Sequence, residues 1–474
     1  MRASRPGNRK IHGMENHLEH SYWWVPGSPD TKVHGALSFD PVEGASLTLL
    51  DPLPGVRASR FNTPALLGET FDGKPLTLLH SFLAGISDRT TPTEWRSRST
   101  IVAPAVLRGY HLENPDAPII GRAVLRFAGL RDICLQEWPS DNGELISFVG
   151  PGLIAKQATL DGGVVLFRQC EDKTSDRYSK SSEIDIEADI AVDEPLSIAD
   201  FDQRWITPLE TLIVLTAHGP TQLGQFIVLV RDEHGAETEV EVDTHLHALA
   251  PKLPADYRPL VRLAALGEDA LPFIGRWWQL YWTLGPAAKY LNAALSGDMF
   301  LEQKLLAGMS FVESYHRELH DDPVVPRDEH KRNIAAMLDA LPNQARRNRY
   351  LALLQLGVQQ SARERLELLI DRAKDTLPTV PGLDTTLAKE LVVTRNAIAH
   401  LDRSISKALN GVDLIYAVAR LSLVIQINLL LDLELEPNLA GSLVLTSYDR
   451  RMPIVDYREQ ESPQTAGSQA TAPA

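Results

Sequence analysis

The chain has 474 residues, 44% of them hydrophobic, with a formal net charge of -15 and a pI near 5.4. That length holds two or three domains with real cores, and that composition excludes a disordered protein. The acidic balance excludes a surface that coats nucleic acid by bulk positive charge, so any RNA contact has to be local.

Residues 1–20 carry Arg2, Arg5, Arg9 and Lys10 with no apolar stretch behind them, so they read as a flexible tail and not as a secretory signal. From 21 to 250, short apolar runs alternate with turn residues. Val33–Phe39 is followed by Asp40-Pro41 and Glu43-Gly44, then by Ser46–Leu50. The same grammar recurs at Leu76–Leu79, Ala123–Phe127, Gly163–Phe167, Glu183–Glu187, Leu212–Leu215 and Phe226–Val230, each expected as a strand. Many short strands at this spacing predict a β-rich sandwich or barrel-like domain. No nucleophile–base pair or Gly-rich phosphate loop stands out in it. Cys134 and Cys170 have neither a disulfide framework nor zinc spacing, and they read as small buried hydrophobes in a reducing cytosol, which places the chain in the cytoplasm. Asp243, His245 and His247 share one face of a strand, but no fourth ligand accompanies them, so no metal site is expected.

After 250 the period lengthens, and 251–436 predicts an all-α helical bundle. Leu260, Val261, Leu263 and Leu266 open a helical run. Phe300, Leu301, Leu305, Met309, Val312 and Tyr315 mark one face of a longer helix, with Ser296-Gly297-Asp298 as its cap. Further helices are expected over 328–341, 350–358, 363–374, 384–400 and 412–433, broken at Pro342-Asn343, at Pro378 to Gly382 and at Asn410-Gly411. Ser422, Gln426 and Asn428 interrupt the apolar run 421–431, so no membrane span is expected. Trp23, Trp24, Trp277, Trp278 and Trp282 read as core or interdomain packing. Residues 437–474 form a C-terminal extension, and from about 458 its Gln, Ser, Thr, Ala and Pro content predicts disorder.

One phrase carries chemistry. In Arg395-Asn396-Ala397-Ile398-Ala399-His400 an Arg precedes a His by five positions, a spacing found nowhere else in the chain. Asp384 caps the helix that holds it, and Leu387, Leu391, Ile398 and Leu401 line one side. Five residues amount to about 140° of net rotation and about 7.5 Å of rise on an ideal helix, so Arg395 and His400 do not share a face. Asn396 and His400 do, which lets the Asn amide orient the imidazole or touch a substrate oxygen. A single helix is thus an incomplete site, and the simplest completion is a two-fold homodimer in which each Arg reaches a phosphate near the other chain's His.

The phrase resembles the Arg-x4-6-His signature of HEPN domains, helical modules that often act as dimeric, metal-independent endoribonucleases. The flanking Glu390–Thr394 and Leu401-Asp402 are similar to the HEPN of ApeA-type antiphage proteins, and Trp23–Gly27 with Val33–Asp40 is similar to the opening of the ApeA N-terminal domain. The resemblance spans most of the chain. It implies an abortive-infection protein of α+β class, with a β-rich N-terminal domain that senses a phage-derived trigger or regulates a HEPN ribonuclease acting on tRNA or other translation-related RNA. An alternative within the same resemblance is a non-catalytic HEPN used for interaction or oligomerisation.

RNA carries its own nucleophile, the 2′-hydroxyl, so the protein has to supply a proton acceptor and donor and a cation at the phosphate, with no cofactor. His400 suits the proton transfers, since a free imidazole titrates near 6.5. Arg395, always charged and forked, suits the phosphate oxygens. Glu313 lies in Glu313-Ser314-Tyr315-His316-Arg317, where ApeA-like sequences carry a similar phrase. It reads either as an auxiliary polar group facing the cleft or as half of a surface pair with Arg317. Arg346, Arg347 and Arg349 form a compact basic cluster, either an RNA backbone contact or a solvated helix start.

Overall fold

A computed structural model describes residues 18–53, 61–91, 94–139, 145–149, 157–175, 180–217, 219, 221–231, 234–244, 259–295, 299–320, 326–340, 344, 347–348, 350–351, 360–400 and 407–451. The domain boundary read at 250/251, the cap at 296–298, the break at 342–343 and the tail from 458 lie outside them. The chain divides into two units: one of 1–281 with 296–298, the other of 282–295 with 299–474.

The first unit is built on a 13-stranded sheet, one end of which rolls closed. β1 (Glu19–Trp24), β2 (Val33–Asp40), β3 (Gly44–Leu49), β4 (Asn62–Thr70), β5 (Pro75–Thr91) and β6 (Glu94–Ala103) pair in the ring β5-β4-β1-β2-β3-β6, and β6 returns to β5. Every pairing is antiparallel, and the result is a six-stranded barrel. Alternation along these strands sends Leu37, Leu47, Leu49, Leu66, Leu76 and Leu78 inward, around the fully buried Trp23. A barrel this narrow holds an indole only where a neighbour has no side chain. A Cβ on Gly68 would lie 2.6 Å from the Trp23 ring, and the indole N–H donates to the buried Ser21 hydroxyl at 2.8 Å.

At Pro104 the barrel opens into the rest of the sheet. β6 pairs with β3, whereas β7 (Ala105–Arg108), just past the proline, pairs with β15 (Glu237–Thr244). Beyond β15 the order runs β14 (Leu223–Arg231), β8 (Ile120–Phe127), β13 (Lys180–Leu196), β12 (Gly163–Ser175) and β11 (Gln157–Leu160). β9 (Leu135–Pro139) and β10 (Leu145–Val149) form a separate hairpin after the short helix α1 (Leu130–Cys134). One face of the arm carries charge: Arg122 clasps Asp189 with two hydrogen bonds of 2.8 and 2.6 Å, and Arg168 bridges Asp189 and Glu187. On the other face Phe226 of β14 stacks on Phe201 at 5.8 Å.

Phe201 belongs to α2 (Ile198–Phe201), which runs through a π turn at 202–206 into α3 (Thr207–Ala217). Here the structure departs from the sequence reading: Leu212–Leu215, expected as a strand, lies within α3. A run of four apolar residues carries no period that tells a strand from a buried helix. Pro208 presets the first turn, and all of 208–217 except Glu210 is buried, so no polar face marks the helical repeat. The Thr211 and Thr216 hydroxyls donate back to the carbonyls of Thr207 and Leu212. The 3-10 turn Leu263–Asp269 leads into α4 (Ala270–Leu284). Within the first unit Trp277 donates to the Pro208 carbonyl at 2.9 Å and Trp278 packs on Trp205 at 5.4 Å. Burial, then the charges of Asp202 and Glu210, push the Tyr281 hydroxyl up to about 12.

The second unit is helical: α5 (Ala287–Leu295), α6 (Leu301–His320), α7 (Arg327–Asp339), α8 (Ala362–Thr376), α9 (Thr385–His400), α10 (Gly411–Asp432) and α11 (Pro437–Arg451). α6 and α8 pack on each other and each packs on α9 and α10, α5 lies on α6, and α11 lies on α8 and α10. The helix ends obey local chemistry. Ser361 and Glu364 make a reciprocal capping box on α8, and Gly382 takes the positive φ, 72°, that ends the turn before α9. α10 reaches the length and mean hydropathy, 1.9, of a membrane-crossing helix, with 67% of that window buried in the protein. Of its interrupting polar residues Gln426 and Asn428 are buried and Ser422 is half-buried; Asn428 donates to the carbonyls of Leu369 and Val424 at 3.0 and 2.8 Å.

Candidate functional site

The orientation of the 395–400 phrase follows from the start of α9. Asp384 Oδ1 accepts from the amides of Thr386 and Leu387 at 2.7 and 3.3 Å, which fixes the first turn. Leu387, Ala388, Leu391 and Thr394 are then buried, each three or four residues from a partner. Thr394, 1% exposed, continues the stripe where the sequence suggested Ile398, which is half-buried. Its hydroxyl donates to the Glu390 carbonyl at 2.7 Å and accepts from the Leu409 amide at 2.9 Å. With that face turned inward, Arg395 and Asn396 sit half-buried and His400 is exposed at the helix end.

Arg395 meets two acceptors. Its Nη1 donates to Asn396 Oδ1 at 3.0 Å, and its Nη2 lies 3.3 Å from Glu313 Oε1 on α6. The first is a hydrogen bond. The second is an ion pair whose alignment leaves Glu313 Oε1 without a hydrogen bond. Glu313 is held in turn by α8, where Arg365, 2% exposed, donates to the Gln360 carbonyl at 3.0 Å and to the Glu313 carbonyl at 3.5 Å.

The structure therefore brings together Glu313, Arg395 and Asn396. Of the two roles read for Glu313, it faces Arg395, and Arg317 is exposed. Asn396, read as orienting His400 or touching a substrate oxygen, accepts from Arg395, because the guanidinium one residue away reaches its amide oxygen. His400 makes no hydrogen bond or ion pair among the described residues. Arg346 and Arg349 lie outside the described residues. Arg347 is turned to the end of α7, with Nη2 3.4 Å from the Asp339 carbonyl. Asp243 accepts from Arg108 Nε at 2.7 Å, Arg108 also engages Glu19, and His245 and His247 lie outside the described residues. Among the described residues no three or more His, Cys, Asp or Glu gather to hold a metal ion.

A second polar cluster escaped the sequence reading. Asp432, at the end of α10, accepts from the Tyr315 hydroxyl, pairs with Arg372 Nη2 at 2.7 Å and faces His320 Nε2 at 3.5 Å. Burial raises the Asp432 pKa, but the groups from His320, Tyr315 and Arg372 outweigh it and hold the carboxyl below its ordinary value. Burial first and the Asp432 charge second push the Tyr315 hydroxyl well above its ordinary value. The His316/His320 spacing on α6 was the available signal, since i and i+4 share a helix face.

Residues 19–277, more than half of the chain, match the family ApeA N-terminal domain 1, and residues 306–439 match the family Apea-like HEPN. The second match contains Glu313, Arg395, Asn396 and His400. No curated protein and no solved structure matches the chain.

Proposed function

The chain belongs to the ApeA family, with an ApeA N-terminal domain 1 joined to an Apea-like HEPN domain, and from this premise we propose that it is an antiphage endoribonuclease. HEPN domains are typically RNases of defence systems. The observation that carries the reading is the guanidinium of Arg395, aimed by Asn396 and standing on the same short helix segment as an exposed imidazole.

The chemistry follows from those groups. Arg395 holds a phosphate oxygen of the RNA and stabilises the charge that builds there as the 2′-hydroxyl attacks. His400 moves protons, taking one from the 2′-hydroxyl or giving one to the departing 5′-oxygen. No metal is assigned a step, because the nucleophile is in the substrate and the cation is Arg395. The products are a 2′,3′-cyclic phosphate and a 5′-hydroxyl.

In this reading the working species is a homodimer. Arg395 and His400 point about 140° apart on one helix, and in the same unit the start of α10 leaves Val412 and Ile415 54% and 38% exposed. A second copy covering that surface brings its own His400 to the first chain's Arg395. The N-terminal domain senses the phage-derived trigger, and the protein acts in the cytoplasm on tRNA or other translation-related RNA.

The test is mapping of RNA ends in phage-challenged cells. Wild type is expected to generate new 5′-hydroxyl ends that are missing with His400→Ala. The same ends in both strains would remove the nuclease reading and favour a HEPN used for interaction.

A further inference from the structure

The two acceptors on Arg395 do different work. Asn396 Oδ1 receives a directed hydrogen bond at 3.0 Å and so aims the fork. Glu313 Oε1, at 3.3 Å and out of line, neutralises the cation without holding it by a directed bond. A carboxylate oxygen against a guanidinium nitrogen is also the arrangement a phosphate oxygen adopts there. We propose that Glu313 is a stopper: it occupies the position on Arg395 Nη2 that an RNA phosphate takes, and binding of RNA displaces it.

Accessibility supports exchange. The Arg395 and Glu313 side chains are 33% and 21% exposed, so although Oε1 itself is shielded, part of the guanidinium stays within reach of a competing anion. A partly exposed ion pair contributes little, which makes the carboxylate replaceable. The carbonyl of Glu313 is held by Arg365, so the backbone stays in place while the side chain swings away. Glu313 is thereby assigned against catalysis in the resting protein, not as an auxiliary catalytic group. The inference rests on the reading of Arg395 as the phosphate-holding residue.

The experiment measures affinity rather than cleavage. A fluorescent single-stranded RNA with 2′-O-methyl groups at every ribose has no nucleophile, and its Kd is read by anisotropy for wild type, Glu313→Gln, Glu313→Asp, Arg395→Ala and the Glu313→Gln/Arg395→Ala double variant. Glu313→Gln is expected to bind roughly two- to fivefold tighter, the scale of a partly exposed ion pair, and the gain vanishes when Arg395 is absent. Glu313→Asp, whose shorter carboxylate retracts from the guanidinium, falls between wild type and Glu313→Gln. If Glu313→Gln binds equally or more weakly while Arg395→Ala weakens binding, the stopper is wrong and the phosphate role of Arg395 stands. If Arg395→Ala binds like wild type, that role falls and the stopper with it.

Discussion

The Leu409 amide donates to the Thr394 hydroxyl at 2.9 Å, tying the chain beyond His400 back onto α9 one residue before Arg395. The same hydroxyl donates to the Glu390 carbonyl, so both its donor and its acceptor capacities are used. Thr394→Val keeps the shape and removes both bonds, leaving the Leu409 N–H without its partner. The expected cost is about 1–2 kcal/mol of stability in urea unfolding, with Thr394→Ser close to wild type. A Thr394→Val protein as stable as wild type would show that the bond does not hold this segment.

Asp432 gives a pH-dependent expectation. Its pKa is lowered in the folded chain, so the stability it contributes is fully present above the ordinary aspartate value and is lost as pH falls through the lowered one. Asp432→Asn is expected to cost about 1.5–3 kcal/mol at pH 7, the scale of hydrogen bonds to a charged group. Urea melts of the two proteins should draw together as pH falls below about 5, through the ordinary aspartate value and on through the lowered one. A gap that widens on acidification would reverse the sign and refute this role.

Composite sites predict rescue between two dead variants. Arg395→Ala and His400→Ala are each expected to be inactive. In a mixed dimer one site has lost both groups, and the other retains Arg395 from one chain and His400 from its partner. Equal mixing, with half the dimers heterologous, should recover about a quarter of wild-type RNA cleavage. Mixtures that stay as inactive as the separate variants would place both groups in one chain.

Much of this was legible in the sequence, and the misses have physical causes. Strands such as Val33–Asp40 and Gly44–Leu49 alternate and are separated by turn residues, so pattern alone finds them. Asp384, the apolar stripe from Leu387 to Leu391, and Gly382 mark α9 as clearly. Leu212–Leu215 failed because a helix buried on all sides has no polar face. A barrel-like domain was legible in the many short strands, but which strands close it was not, because β6 pairs both with β5 across the hairpin and with β3, about fifty residues earlier. The Arg395–Glu313 contact joins α6 to α9, and helix phase within one element says nothing of which neighbour it meets. Asn396 was read with His400 or the substrate because i and i+4 share a helix face, and helix phase could not show that the adjacent guanidinium donates to its amide oxygen.

The central claim is that Arg395 and His400 cleave RNA without a metal. It is tested most directly with purified protein, activated by phage lysate and assayed in excess EDTA against a single-stranded RNA, with wild type, Arg395→Ala and His400→Ala side by side and product ends identified. The account predicts EDTA-resistant cleavage by wild type with 2′,3′-cyclic phosphate ends, reduced at least about 100-fold in either variant, the scale of losing a general acid–base or a preorganised charge. Cleavage by wild type that EDTA abolishes, or that persists in both variants, would contradict it.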